Sequence, residues 1–391
     1  MLKNKFLPYA QQSISKEDIE SVQQALSQPI ITRGPLVEAF EKEVATYCGA
    51  EYAVAFNTGT AALMAAYHAA DAGIHDRVIT TPNSFVATIG PAIQNNATPI
   101  FVDIDRTTGN LNLEHVALNV NRDQSKGKTI VVPVHFSGIP VDMEALDFEI
   151  SNYSTIIIED AAHAIGSCYK DGTKVGSCSR SHMTMFSFHP AKTITTSEGG
   201  MVTTNDPNLF HRLRQYRANG IERDPHYLND MPYPGYYEVD FLSGNYHFTD
   251  MQAALGLSQL KRLDQFVARR RELMDIYREK LSSFEHVRLF APQEGVSVAY
   301  HLCVAQIDFA AYRTTRKAVM EALFEMGIGT QMHYIPLYRH PFFKNESGDI
   351  SEYFPEMEAY YAQALSLPLY YGLSEEDVDR VVSGLKKVLT R

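Results

Sequence analysis

The chain has 391 residues, 45% of them apolar and 21% charged, with a formal net charge of −11. That length buries a large core, in two lobes or domains, and the acidic balance excludes a general nucleic-acid surface, so an anionic ligand has to be held locally. No segment reaches the roughly 18 apolar residues of a membrane span and the start, MLKNKFLPYAQQ, has no apolar signal core, so a cytoplasmic protein without membrane partners is expected. Cys48, Cys168, Cys178 and Cys303 form no CxxC pair, which points to free thiols in a reducing compartment and to no metal site.

Residues 15–28, SKEDIESVQQALSQ, space Ile19, Val22 and Leu26 behind a Ser/Asp-rich start, predicting a capped amphipathic helix. GPLVEAFEKEVATYCG repeats the pattern and stops at Gly49. EYAVAF, RVITTP, TPIFVDID, TIVVPVHF and STIIIEDA are then short β-branched runs separated by helix-length segments, which predicts an α/β domain with a mostly parallel sheet flanked by helices. Ligands of such sheets gather at the carboxyl ends of the strands. MTMFSFHP and GGMVTTND read as a further strand pair, and residues 220–247, rich in Pro, Gly and Tyr, as a long loop. From Thr249 a single long helix is predicted, its run Arg269, Arg270, Arg271 a solvated face. HVRLF, AYHLCVAQID, a helix near 314–326, IGTQMHYIPLY and a last helix after Ser374 complete a smaller α+β lobe. The expected division is a large domain over 1–248, whose first helix packs on the small domain, and a linking helix with the small domain over 249–391.

Three local features carry chemistry. In FNTGTAALMAAYHAA a strand ends at Asn57-Thr-Gly-Thr60 and a helix begins at once, so backbone N–H groups and hydroxyls face a potential phosphate; a plain threonine N-cap with a glycine turn fits the same residues. IIIEDAAH sets Glu159 and Asp160 where a buried strand ends, and a buried carboxylate needs a partner: a protonated pyridine nitrogen, a metal or a helix start. SFHPAKTITTSEGG delivers Ser187, His189 and Lys192 onto a turn, and Lys192, the only lysine between Lys174 and Lys261, is either a surface charge or a nucleophile made neutral by burial. In this order, a phosphate cradle, an acid and a lysine are the parts of a pyridoxal phosphate site.

The chain resembles the DegT/DnrJ/EryC1/StrS family of sugar aminotransferases along nearly its whole length, in ITRGP (31–35), NTGTAAL (57–63), SFVAT (84–88), EDAAHAIGS (159–167), SFHPAKTITTSEGG (187–200), GNYHFTDMQAALGLSQL (244–260), HYIPLY (333–338) and LSLPLYYGLS (365–374). The resemblance implies a fold-type I pyridoxal 5′-phosphate enzyme. Within it, TTPNSFVAT (80–88), FHPAKTITTSEGG (188–200) and HYIPLY are similar to the segments of an aminotransferase acting at C4 of a UDP-linked 4-keto-6-deoxy-N-acetyl-L-altrose sugar in pseudaminic acid biosynthesis. L-Glutamate would be the amino donor, in two half-reactions with ping-pong kinetics through pyridoxamine phosphate. The alternatives are another nucleotide-linked 4-keto sugar, of UDP-4-keto-GlcNAc or dTDP type, and a silent sugar-nucleotide-binding relative; retention of Lys192 counts against the latter.

Carried over position by position, the resemblance makes Lys192 the catalytic lysine that holds the cofactor and relays protons. Asp160 becomes the partner of the ring nitrogen, His163 a neighbour of the phenolic oxygen and Phe85 the stacking aromatic. Gly59, Thr60 and Ser187 form the phosphate cradle, and Asn245 reaches that phosphate from the other subunit, which implies a homodimer with shared sites. Tyr9, Ile31, Thr32, His333 and Tyr334 match substrate-cleft positions, although His333 and Tyr334 serve equally as packing residues. Ser197 stands where the family has Gly or Ala, and Asn219 where many relatives carry His, which puts a substrate contact there in doubt.

Overall fold

β-Branched runs with few charges inside them favour a place in which both faces are covered, and they form the central sheet of the molecule. The computed structural model describes residues 6–121, 127–230 and 233–390. Strands β1 (Tyr52–Phe56), β2 (Arg77–Thr80), β3 (Thr98–Phe101), β4 (Thr129–Val132), β5 (Thr155–Asp160), β6 (Met183–Ser187) and β7 (Gly200–Thr204) make one sheet in the order β1-β7-β6-β5-β4-β2-β3. Pairing is parallel from β6 through β5, β4 and β2 to β3, and β7 runs antiparallel to both its neighbours. The carboxyl ends of β1 to β6 therefore share one edge.

Helices α1 (Lys16–Leu26), α2 (Pro35–Cys48) and α3 (Gly59–Ala69) follow the sequence reading at their ends. Ser15 accepts from the Asp18 N–H while Asp18 accepts from the Ser15 N–H, closing a capping box, and α2 stops at Gly49 with φ +80°. The apolar stripe of α1 departs from expectation. Ile19 and Leu26 are 60% and 56% exposed, whereas Asp18 and Ala25 are buried against the helix Asp250–Leu260, because Asp18 supplies the acceptor for Gln259 and Arg262.

The single long helix predicted from Thr249 is instead two, Asp250–Leu260 and Leu263–Leu281. Neither Gly nor Pro marks the break; Arg262 leaves helical geometry as its guanidinium reaches Asp18 and the Ser13 carbonyl. The arginine run is not a solvated face either. Arg270 is 2% exposed and donates to the carbonyls of Tyr300, His301 and Leu369, Arg271 donates to Val298 and Ser297, and Arg269 donates to the Leu373 carbonyl. Three carbonyls from two segments, one before the strand Cys303–Ile307 and one after the strand Ala364–Leu367, attract a cation that a hydropathy pattern assigns to water.

The described residues of 220–247 are irregular apart from two short paired strands, β8 (Ile221–Glu222) and β9 (Glu238–Val239). Beyond them β10 (Val287–Leu289), β11 (Cys303–Ile307) and β12 (Ala364–Leu367) form an antiparallel sheet, covered by the helices Arg316–Glu325 and Glu375–Leu389. Its core also takes in Leu7, whose N–H and C=O bond Gly327 and Gly329, so the chain start crosses this lobe before α1 reaches the helix Asp250–Leu260. Among the described residues no helix is long and apolar enough to cross a membrane, and the four cysteines are unpaired.

Candidate active site

The cradle is built where three backbones meet. β1 ends at Phe56, and the chain turns through Asn57 into α3, with the Thr58 hydroxyl accepting from the Ala61 N–H at 3.0 Å. The N–H groups of Gly59 and Thr60, in the first helical turn, have no carbonyl within their own helix to meet and point at the cavity with the positive end of the dipole. Two glycines permit this seat. A Cβ on Gly59 would lie 3.1 Å from the Ser187 Cβ, and one on Gly200, which pairs with Ser187 across β6 and β7, would lie 2.5 Å from the Thr58 carbonyl and 2.7 Å from the Gly59 Cα. An opening that a side chain would fill, edged by backbone N–H groups and two hydroxyls, fits a phosphate.

Strand alternation separates the acidic pair. Glu159 turns to one face, where His135 Nε2 at 2.7 Å and the hydroxyls of Thr184, Ser181 and Tyr169 occupy its oxygens; burial works against its charge, yet these donors hold its pKa below the ordinary value. Asp160 faces the cavity. Its Oδ2 accepts from the Thr88 hydroxyl at 2.6 Å and its Oδ1 from the Ala162 N–H at 3.1 Å. Burial raises its pKa against the opposing effects of those donors and of the Lys192 charge.

Lys192 lies on the turn between β6 and β7, partly covered as a residue but with its amine deep in the cavity. Burial lowers its pKa to about 8, with the Asp160 charge working the other way. Such an amine is neutral in part near physiological pH, the condition for nucleophilic and proton-relay work. Ser197, five residues on, has φ +71°, a left-handed geometry that favours glycine and that its N–H bond to the Thr195 hydroxyl steadies.

A cavity of about 960 Å³ brings together Tyr9, Gly59, Thr60, Phe85, Asp160, His163, Ser187, Lys192, His333 and Tyr334. Phe85 stands at its rim, 59% exposed. His333 is buried with Nδ1 on the Ser366 hydroxyl at 2.8 Å, and burial together with Lys192 lowers its pKa to about 3. Tyr9 and His333 lie ring to ring at 5.6 Å. Ile31, Thr32 and Asn245 do not line this chain's cavity. Thr32 bridges to Thr249 and the Ile31 carbonyl accepts from the Asp250 N–H, which ties their loop to the start of the helix after Thr249, while the Asn245 backbone pairs with Ala218 at the end of the helix Pro207–Arg217.

Sequence reasoning did not single out Thr88, Ser137, Gly200 or His301. Thr88 and Gly200 stand inside quoted motifs, but only the fold shows one on Asp160 and the other under α3. His301 lines the cavity, 4.3 Å from the His163 ring, with a buried Nδ1 that meets no hydrogen-bond partner among the described residues, and no spacing in the sequence marks it.

The DegT/DnrJ/EryC1/StrS aminotransferase family matches residues 12–386. The spore coat polysaccharide biosynthesis protein SpsC of Bacillus subtilis is 38% identical over 389 residues, covering 99% of this chain and 98% of the relative. Among solved structures, Helicobacter pylori PseC, an aminotransferase involved in the biosynthesis of pseudoaminic acid, superposes with a TM-score of 0.89 at 27% identity, covering 98% of this chain and 99% of that one. Spr1654 of Streptococcus pneumoniae, solved in PLP and PMP forms, gives a TM-score of 0.88 at 26% identity, covering 98% of this chain. The α/β fold with its small antiparallel sheet and the pyridoxal phosphate expected from the motifs both agree with these relatives. The chain belongs to the DegT/DnrJ/EryC1/StrS aminotransferase family.

Proposed function

We propose that the protein is a pyridoxal-phosphate-dependent aminotransferase that moves the amino group of L-glutamate to C4 of a UDP-linked 4-keto-6-deoxy-N-acetyl-L-altrose sugar. The observation that carries the aminotransferase reading is the convergence of the Gly59/Thr60/Ser187 cradle, the Asp160 carboxylate and the Lys192 amine on one cavity. When bound there, pyridoxal phosphate supplies an electron-accepting ring that stabilises negative charge at the substrate carbon. The cradle binds the phosphate. Asp160, fixed by Thr88, keeps a proton on the ring nitrogen, and Lys192 takes and returns the proton at the reacting carbon as general base and acid. His163 would neighbour the phenolic oxygen, and Phe85, at the rim, would cover the ring.

The sugar is supported by the likeness of TTPNSFVAT, FHPAKTITTSEGG and HYIPLY to the altrose-type enzyme. The higher identity to SpsC, 38% against 27% for PseC, favours a second reading in which another nucleotide-linked 4-keto sugar of a surface polysaccharide is aminated. Enzymatically prepared UDP- and dTDP-4-keto sugars assayed with glutamate separate the two. Amination of the altrose sugar is expected; preference for another sugar overturns the substrate, and failure with all of them, with no visible cofactor band, overturns the activity. Asn245, outside its own cavity, is assigned to the partner's site in a homodimer. Sedimentation of the full chain at twice the 43.9 kDa of one chain is the expected result.

A further inference from the structure

His163 and Tyr334 are joined to each other and to an unusual piece of backbone. Ser137 has φ +59°, a left-handed conformation that a residue with a side chain adopts only under constraint. The constraint is visible: its hydroxyl donates to the Leu302 carbonyl at 2.8 Å and its carbonyl accepts from the His301 N–H at 2.9 Å. Gly138 follows with φ +92°, so close to the residue before Tyr300 that a Cβ would sit 2.1 Å from the Ala299 carbonyl. Clamped in this way, the Ser137 N–H points at His163 Nδ1, 3.3 Å away.

A backbone N–H can only donate, so Nδ1 must present its lone pair and the ring proton must lie on Nε2. Nε2 stands 3.1 Å from the Tyr334 hydroxyl. In that tautomer His163 donates and the Tyr334 oxygen accepts. Tyr334 has one hydroxyl proton and no second hydrogen-bond partner among the described residues, and it lines the cavity. Burial and the neighbouring Lys192 and His333 keep His163 well below its ordinary pKa, and burial keeps the phenol protonated.

We propose that the Ser137 N–H locks His163 in its Nε2–H form and thereby makes the Tyr334 hydroxyl a hydrogen-bond donor to an uncharged oxygen of the keto-sugar substrate. The proposal rests on the aminotransferase reading for the identity of the ligand and on the Ser137–His163–Tyr334 hydrogen bonds alone for the lock. Ser137 is a positioning residue, acting through His163; Tyr334 touches the substrate.

Two measurements on the full-length, cofactor-loaded protein decide it. With 15N-labelled histidine, His163 is identified by the resonances lost in His163→Gln; a protonated Nε2 and a bare Nδ1 are expected, and a proton on Nδ1 at neutral pH overturns the lock. Tyr334→Phe is expected to raise KM for the 4-keto sugar about tenfold. The glutamate half-reaction, followed by cofactor absorbance, is expected to stay within about twofold, and the KM effect to shrink below about threefold when Tyr334→Phe is made in the His163→Gln background. An unchanged KM, or equal losses in both half-reactions, overturns the donor role. A wild-type protein that aminates none of the sugars refutes the functional reading instead, and the histidine spectrum then decides the lock by itself.

Discussion

Lys192 has to be a buried cation in the folded, cofactor-free chain or lose its proton, and either state costs stability. Its pKa falls from 10.5 to about 8 on folding, so between those values the unfolded chain binds more protons than the folded one. Stability therefore rises with pH through that window, and the full penalty is present below about pH 8. Lys192→Met removes it. The cofactor-free variant is expected to unfold at higher denaturant than wild type at pH 7, by about 2 kcal/mol once the open cavity is allowed for, with the gap closing as pH approaches 10.5. The same variant should lose about 10²-fold or more of the aminotransferase rate. Uptake of pyridoxal phosphate by the wild-type chain, read from the visible band, should quicken with pH and level off above about 8, as the neutral amine becomes the major form. At this scale the sequence was informative about Lys192 and Asp160 because an acid at the end of a buried strand and an isolated lysine on a turn follow a phosphate-type helix start in order. It was silent about His301 and Ser137, whose parts depend on a backbone conformation and a neighbouring strand that no local pattern encodes.

Among the elements, the seat of α3 on the β6–β7 pair is the feature most exposed to a single methyl group. Gly200→Ala would drive Cβ into the Thr58 carbonyl and the Gly59 Cα, pushing the helix start away from Ser187. Affinity for pyridoxal phosphate is expected to fall at least about tenfold in equilibrium titration, while far-ultraviolet circular dichroism stays unchanged. Strand positions were legible in the sequence because burial on both faces selects β-branched runs, a signal independent of partners. The break at Lys261–Arg262 was not, since its cause is a contact with Asp18, some 240 positions away in the chain (Arg262 to Asp18). For the same reason the α1 stripe misled: the spacing of Ile19 and Leu26 is helical, but the side this chain covers is the one carrying Asp18.

For the molecule as a whole, Arg270 fastens the helix Leu263–Leu281 to the strands and loops of the C-terminal lobe through the carbonyls of Tyr300, His301 and Leu369. Burial draws its pKa down to about 10, so it stays charged throughout the physiological range. Arg270→Met keeps the stem and deletes the donors, leaving those carbonyls without them. A loss of about 2–4 kcal/mol in urea unfolding is expected, with weaker binding of the keto sugar because His301 and His333 belong to the same lobe. That a smaller α+β part follows the large sheet was readable from HVRLF, AYHLCVAQID and the helix patterns around them, whereas the residues it brings to the site, His301 above all, became visible only in the whole fold.

The pairing of Ser187 with Gly200, followed by the Phe188 N–H to Gly199 carbonyl bond, closes residues 188–199 at their base. Lys192 thus rides on a loop whose two ends are stitched to each other before they reach the cradle. Variation in the length or composition of that loop can redirect the amine without disturbing the phosphate seat, so the reactive group and the anchor are free to diversify separately. A loop that ends on the same serine and glycine leaves the phosphate seat closed at its base whatever it carries at its tip.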